Sequence, residues 1–130
     1  MKDRLEKSIS KINVDKCLFS LVSNNEGIYA ALLSSLDGHS IAKQSIQDFP
    51  DAKLAAMTSS CLALGERLAQ ESRQNHCNFV IIQNATGYLV LKRVGNKLAL
   101  STLANKKINM GLLLTATNQA ADFLCKTLIT

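Results

Sequence analysis

The residues of this 130-residue chain that could do chemistry are two histidines, four cysteines and ten acids. A cysteine nucleophile needs a base within hydrogen-bond reach. His76 precedes Cys77 directly, and on a strand adjacent side chains point to opposite faces, so that pair would not meet. His39 stands beside an Asp37-Gly38 turn. No CxxC pair offers zinc ligands; Cys17, Cys61, Cys77 and Cys125 all fall in apolar patterns, as buried free thiols of a reducing compartment do. Asp37 has a turn role, Asp48 and Asp51 flank Pro50, and Glu66 and Glu71 sit among Arg67, Gln70 and Arg73, a solvated setting rather than the burial that a working acid and base require. The six glycines fall singly, and neither GxGxxG nor a GK[ST] loop occurs. No catalytic residue, metal or cofactor is expected.

Composition narrows the classes further. A chain that is 47% hydrophobic and 19% charged is a folded domain large enough for its own core. The net charge of +5 is spread over Lys2, Arg4, Lys7, Lys11 and Lys16, then Lys92, Arg93 and Lys97, then Lys106 and Lys107. Nucleic-acid binding would want a denser stripe and stacking aromatics, whereas there is no Trp, with two Tyr and four Phe. No apolar run approaches the ~20 residues of a membrane span, and MKDRLEKSISK lacks the apolar middle of a secretory signal. A cytoplasmic protein without membrane insertion is expected.

The element around which the rest is arranged is a helix from Asp51 to Arg73, DAKLAAMTSSCLALGERLAQESR. Leu54, Met57, Cys61, Leu64 and Leu68 recur at steps of three and four, a stripe expected to face the core. Ala52, Ala56, Ser59 and Ala63 form a second stripe of little volume. It either admits the backbone of another helix or is an exposed face of ordinary helix formers.

Residues 1–13 read as a basic arm or short helix with Leu5, Ile9 and Ile12 on one side, and residues 14–130 as one domain. Asp15 is a plausible N-cap for a helix to about Asn24. Ile28 to Ser35 is apolar on both alternating sets, as a strand covered on both faces would be. Asp37-Gly38 sits where a two-residue hairpin turn would, and His39 to Gln44 returns as a lysine-bearing edge strand with Ile41 inward. Cys77 to Gln83, Gly87 to Val94 and Lys97 to Leu103 form an antiparallel meander. Asn109 caps a last helix with Ile108, Leu112, Ala116, Ala120, Phe123 and Leu128 inward.

The order is α-ββ-α-βββ-α, an α+β fold with a largely antiparallel five-stranded sheet and the long helix as crossover. The strand from Cys77 to Gln83 is apolar on both sets, and at a sheet edge it would call for a second chain. With the small-residue stripe this points to a two-fold homodimer, strand on strand and helix on helix, through Ala52, Ala56, Ser59, Ala63, Phe79 and Ile81.

The runs GIYAALLSSLDGHSIA, DAKLAAMTSSCLALGERLA and FVIIQNATGYLVLKRVGNKLALSTLA, in this order, resemble the Roadblock family of dynein light chains and its bacterial relatives. The resemblance covers about Asp15 to Lys126. It implies a profilin-like fold, dimerisation into a continuous sheet with paired helices, and no enzymatic site. Family members serve as platforms for Ras-like small GTPases or as dynein accessory chains; bacterial ones, such as the B component of the mutual gliding system, can accelerate GTP hydrolysis without inserting an arginine finger. On this reading Lys53, Glu66, Arg67, Gln70 and Arg73 are the partner-binding candidates. Two other functions stay open: a small-ligand sensor with a cavity between sheet and helix of roughly 300 Å³ or more, and a structural dynein-type light chain.

Overall fold

A computed structural model describes residues 2–129, with side chains placed from 10 to 128. The elements follow in the expected order: α1 (Lys2–Ser23), β1 (Ile28–Ser35), β2 (Ser40–Ser45), α2 (Asp51–Glu71), β3 (Val80–Gln83), β4 (Gly87–Val94), β5 (Leu98–Asn105) and α3 (Met110–Ile129). The sheet runs β2-β1-β5-β4-β3, all neighbours antiparallel. β1 is central, paired with β2 on one side and β5 on the other, which is why its sequence is apolar on both alternating sets. β3 is an edge strand, which the sequence pattern leaves undecided, and only four of its residues pair.

Alternate residues of the central strands point to different helices. On one face, Ala31, Leu33, Val90, Leu100 and Ala104 meet Val14, Leu18, Leu21 and Val22 of α1 and Leu113, Ala121 and Leu124 of α3. On the other, Leu62 of α2 packs with Leu91 and Ala99, bordered by Leu36, Cys61, Val80 and Leu89. This second layer is thin. α2 reaches the sheet through Ala55, Thr58 and Leu62, and Thr58 Oγ1 lies 3.1 Å from Ser101 Oγ in a buried hydroxyl pair.

That arrangement reverses the sequence reading of α2. The bulky stripe does not face the core: Met57, Leu64 and Leu68 are 62%, 57% and 61% exposed. Ala55 and Thr58 are buried instead, Thr58 lying against Ser101, and at this close approach there is no space for the longer residues. Similar corrections apply elsewhere. Asp15 caps nothing, since α1 is continuous from Lys2; Ile12 is exposed, and the side chains of Leu5 and Ile9 lie outside the described residues. In β2 it is Ala42, not Ile41, that packs on the core, because Ala42 pairs with Leu33 on the α1 side. In α3 the buried set is Leu113, Thr117, Ala120, Ala121 and Leu124, leaving Leu112 and Phe123 exposed.

The turns follow local chemistry. Ser35 N donates to His39 O, so the β1–β2 loop has three residues, Leu36 to Gly38, rather than two, with Gly38 at φ +98°. Asn109 caps α3 as expected: its Oδ1 accepts from Leu112 N at 2.8 Å. Among the described residues no helix is long and apolar enough to cross a membrane.

Candidate functional site

The exposed apolar stripe of α2 adjoins the free edge of the sheet. An open cleft of about 760 Å³ runs between them, walled by Cys61, Leu64 and Leu68 on the helix and by Cys77, Phe79 and Val80 on the approach to β3. Scattered apolar residues on a surface need no explanation, but three long ones on one helix face beside an unpaired strand edge mark a contact surface. Phe79 is half-buried, with Lys92 Nζ 4.6 Å from its ring centroid. Ile81 pairs with Val90 and so points to the α1–α3 face, exposed because β3 is outermost.

The small-residue stripe divides. Ala52, Ala56 and Ala63 are exposed. Ser59 is not part of that surface: it is half-buried and its hydroxyl donates to Leu36 O in the turn beneath. Ala56 borders the same turn, near Gly38.

Of the polar candidates, Lys53, Arg67, Gln70 and Arg73 lie on α2 and its C-terminal exit, all four exposed. Glu66 is committed within the chain. Its Oε2 accepts from Cys77 N at 3.1 Å, and its Oε1 lies 2.8 Å from His76 Nδ1. The histidine contact, then the Cys77 N–H, hold the Glu66 carboxyl below the usual glutamate range, against a small opposing effect of desolvation. Asp51, at the other end of α2, is likewise held low, first by the hydroxyl of Ser40 at 2.7 Å and then by Lys43 at 3.1 Å. As an acid in the first helical turn it also complements the helix dipole.

The four thiols are free and half-buried. His76 and Cys77 are directed apart: the ring goes to Glu66, and the Cys77 thiol donates to Phe79 O at 3.3 Å. Burial pushes the Cys17 thiol up, away from thiolate chemistry. Among the described residues no group of three or more His, Cys, Asp and Glu is placed to hold a metal. The space between sheet and α2 is filled by Leu62, Leu91 and Ala99, and the cleft beside it opens to solvent at the sheet edge.

Sequence reasoning therefore found the helix and the edge strand and missed the face. The apolar period of Met57, Leu64 and Leu68 is plain in the sequence, but nothing local to α2 says that Ala55, Thr58 and Leu62 are the residues turned inward. The tie from Glu66 to Cys77 carries no motif.

A family model for the Roadblock/LC7 domain matches residues 14–104. A comparison with curated protein sequences gives no match. Among solved structures, the chain is similar to MglB of Myxococcus xanthus (21% identity, 87% of this chain and 92% of that one covered, TM-score 0.78). It is also similar to the gliding protein MglB of Thermus thermophilus (16%, 91% and 90%, TM-score 0.83). Profilin IB of Acanthamoeba castellanii shares the architecture more distantly (12%, 86% and 96%, TM-score 0.65). The fold is profilin-like, and by the match over most of its length the chain belongs to the Roadblock/LC7 domain family.

Proposed function

We propose that the chain is a non-enzymatic, homodimeric regulator or scaffold of a Ras-like small GTPase, acting in the cytoplasm. The observation that carries the reading is the apolar stripe Met57, Leu64 and Leu68, standing in water beside the unpaired edge of β3. In the proposed dimer β3 pairs with its copy across the two-fold axis and α2 packs on its copy. Met57, Cys61, Leu64 and Leu68 supply the buried area, Ala52, Ala56 and Ala63 lie at the margin where backbones come close, and Phe79 and Ile81 flank the strand junction. Such a contact combines strand addition with helix packing, and as a stable interface it should bury more than about 1,000 Å².

The partner face is then the polar rim of α2: Lys53, Arg67, Gln70 and Arg73. Glu66 is withdrawn from that set, because both of its oxygens are engaged inside the chain. The likeness to the MglB proteins, one of them a gliding protein, together with membership of the Roadblock/LC7 family, supports a GTPase-linked role over a purely structural one. A ligand sensor is disfavoured by the filled space beneath α2.

The test is capture of the tagged protein from its own cells in GTP-analogue and in GDP buffer, followed by a hydrolysis assay with any GTPase recovered. Enrichment of a Ras-like GTPase in one nucleotide state supports the reading, and an altered hydrolysis rate would make the regulator an activator or a brake. Recovery of the protein with no GTPase in either buffer overturns it.

A further inference from the structure

Strand β3 is the least supported strand of the sheet. It has one neighbour and four paired residues. The chain reaches it from α2 through Arg73 and Asn75, both in the left-handed region at φ 59° and 71°. Asparagine tolerates that region, but at Arg73 the crowding of Cβ disfavours it, so this path needs something to hold it. Side chains of the connection and of β3 also pack tightly on the helix at Gly65, where a Cβ would lie 2.9 Å from Val80 Cγ2 and 3.1 Å from Cys77 Sγ.

What holds it is Glu66. Its side chain is 19% exposed on an otherwise solvated end of α2, and it grips the connection twice: at the Cys77 amide and at the His76 ring. An ionised carboxylate only accepts hydrogen bonds, so the proton in the second contact sits on His76 Nδ1. From the sheet, Arg93 of β4 adds attraction at longer range, and its buried Nε has no hydrogen-bond partner among the described residues.

We infer that Glu66 is a positioning residue: its ionised carboxylate clasps the start of β3 to α2, so that the order of this edge strand depends on that charge. Protonation puts a hydrogen on one oxygen, at the cost of the contact with His76 Nδ1, and leaves the Cys77 amide a neutral carbonyl in place of a carboxylate, which loosens residues 74–79 while the central strands stay paired. The sign follows from the lowered carboxyl. The ordering is complete above the ordinary glutamate value of about 4.3 and is lost as pH falls through the lower folded value.

The experiment is site-resolved amide exchange on the full chain, comparing the wild type with Glu66→Ala, Glu66→Gln and His76→Ala. In Glu66→Ala the Cys77 amide should exchange about 10-fold faster or more, the scale of one lost hydrogen bond to a charged group, with β1 and β5 unchanged. Glu66→Gln keeps a carbonyl for the Cys77 amide; it should protect better than alanine and lack the loss of Cys77 protection expected of the wild type as pH falls below about 4.3. His76→Ala should fall between the wild type and Glu66→Ala. Cys77 exchange in Glu66→Ala within twofold of the wild type overturns the clasp. Should that variant unfold throughout, the glutamine pH profile decides: a flat profile supports the clasp, and one like the wild type overturns it. The Cys77 amide is read in monomer and dimer alike, so this outcome is separate from the fate of the proposed dimer.

Discussion

Replacing Leu64 tests the inverted face of α2 directly. Burying a whole leucine side chain is worth roughly 1.5–3 kcal/mol, and 57% of Leu64 stands in water. Covering that portion contributes about 1–2 kcal/mol in each protomer, and a two-fold contact uses it twice, for about 2–4 kcal/mol. At about 1.4 kcal/mol per tenfold, Leu64→Ala should weaken dimerisation roughly 30- to 700-fold. Leu64→Glu should weaken it more, because a carboxylate would have to be stripped of water against an apolar neighbour. Sedimentation velocity across a dilution series reads the effect, and circular dichroism with a thermal scan should find the monomer folded. Ala63→Arg is the companion variant, since Ala63 belongs to the stripe that sequence reasoning favoured. A dimer that survives Leu64→Glu but is split by Ala63→Arg refutes the assignment of the bulky stripe, and one that survives both refutes helix pairing altogether.

Three further predictions concern the chain itself. Thr58→Val should lower stability by about 1–3 kcal/mol in urea unfolding, by leaving the buried Ser101 hydroxyl without its partner; combining it with Ser101→Ala should cost less than the sum of the two single changes. Gly87→Ala should lose about 1–3 kcal/mol or more and disturb the adjacent β4–β5 pairing in amide exchange, since a Cβ there would lie 2.3 Å from Ala104 O. Asp51→Asn should flatten part of the acid limb of stability. The wild-type carboxyl is held low by Ser40 and Lys43, so its contribution is present above the ordinary aspartate value of about 3.9 and declines as pH falls through the lower folded one. Urea midpoints at pH 5 and pH 3 for both proteins measure the difference.

The legible and illegible parts of the sequence differ in kind. Strands, turns and caps rest on local chemistry: Gly38 at its positive φ, Asn109 at its cap and the doubly apolar β1 were readable because few alternatives satisfy those backbones. Facing is a tertiary property. In α2 the sequence shows a bulky stripe and a small-residue stripe, and bulk points to Leu64 and Leu68 as core; the fold instead buries a third arc, Ala55, Thr58 and Leu62, that belongs to neither. The same error recurs at Leu112 and Phe123 of α3 and at Ile41 of β2. In each case a long apolar side chain lies outside, where an isolated chain has nothing to cover it. The hold of Glu66 on Cys77 was out of reach for another reason: it joins a helix side chain to a backbone amide past a left-handed Arg73, which no local pattern announces.

The sheet order has a consequence for how the chain acquires its structure. The middle of the sheet joins its first strand to its last, with Ile28 opposite Ala104 and Ser35 opposite Leu98. The β1–β2 hairpin and the β3–β4–β5 meander are each local, and both can form early. The seam between them closes a long loop containing all of α2, a step set by chain entropy rather than by local preference. During synthesis, β1 therefore waits with one edge open until β5 has emerged, its run of apolar residues available to the wrong partner. A slow phase in refolding that leaves the two halves structured but undocked would be the kinetic trace of that seam.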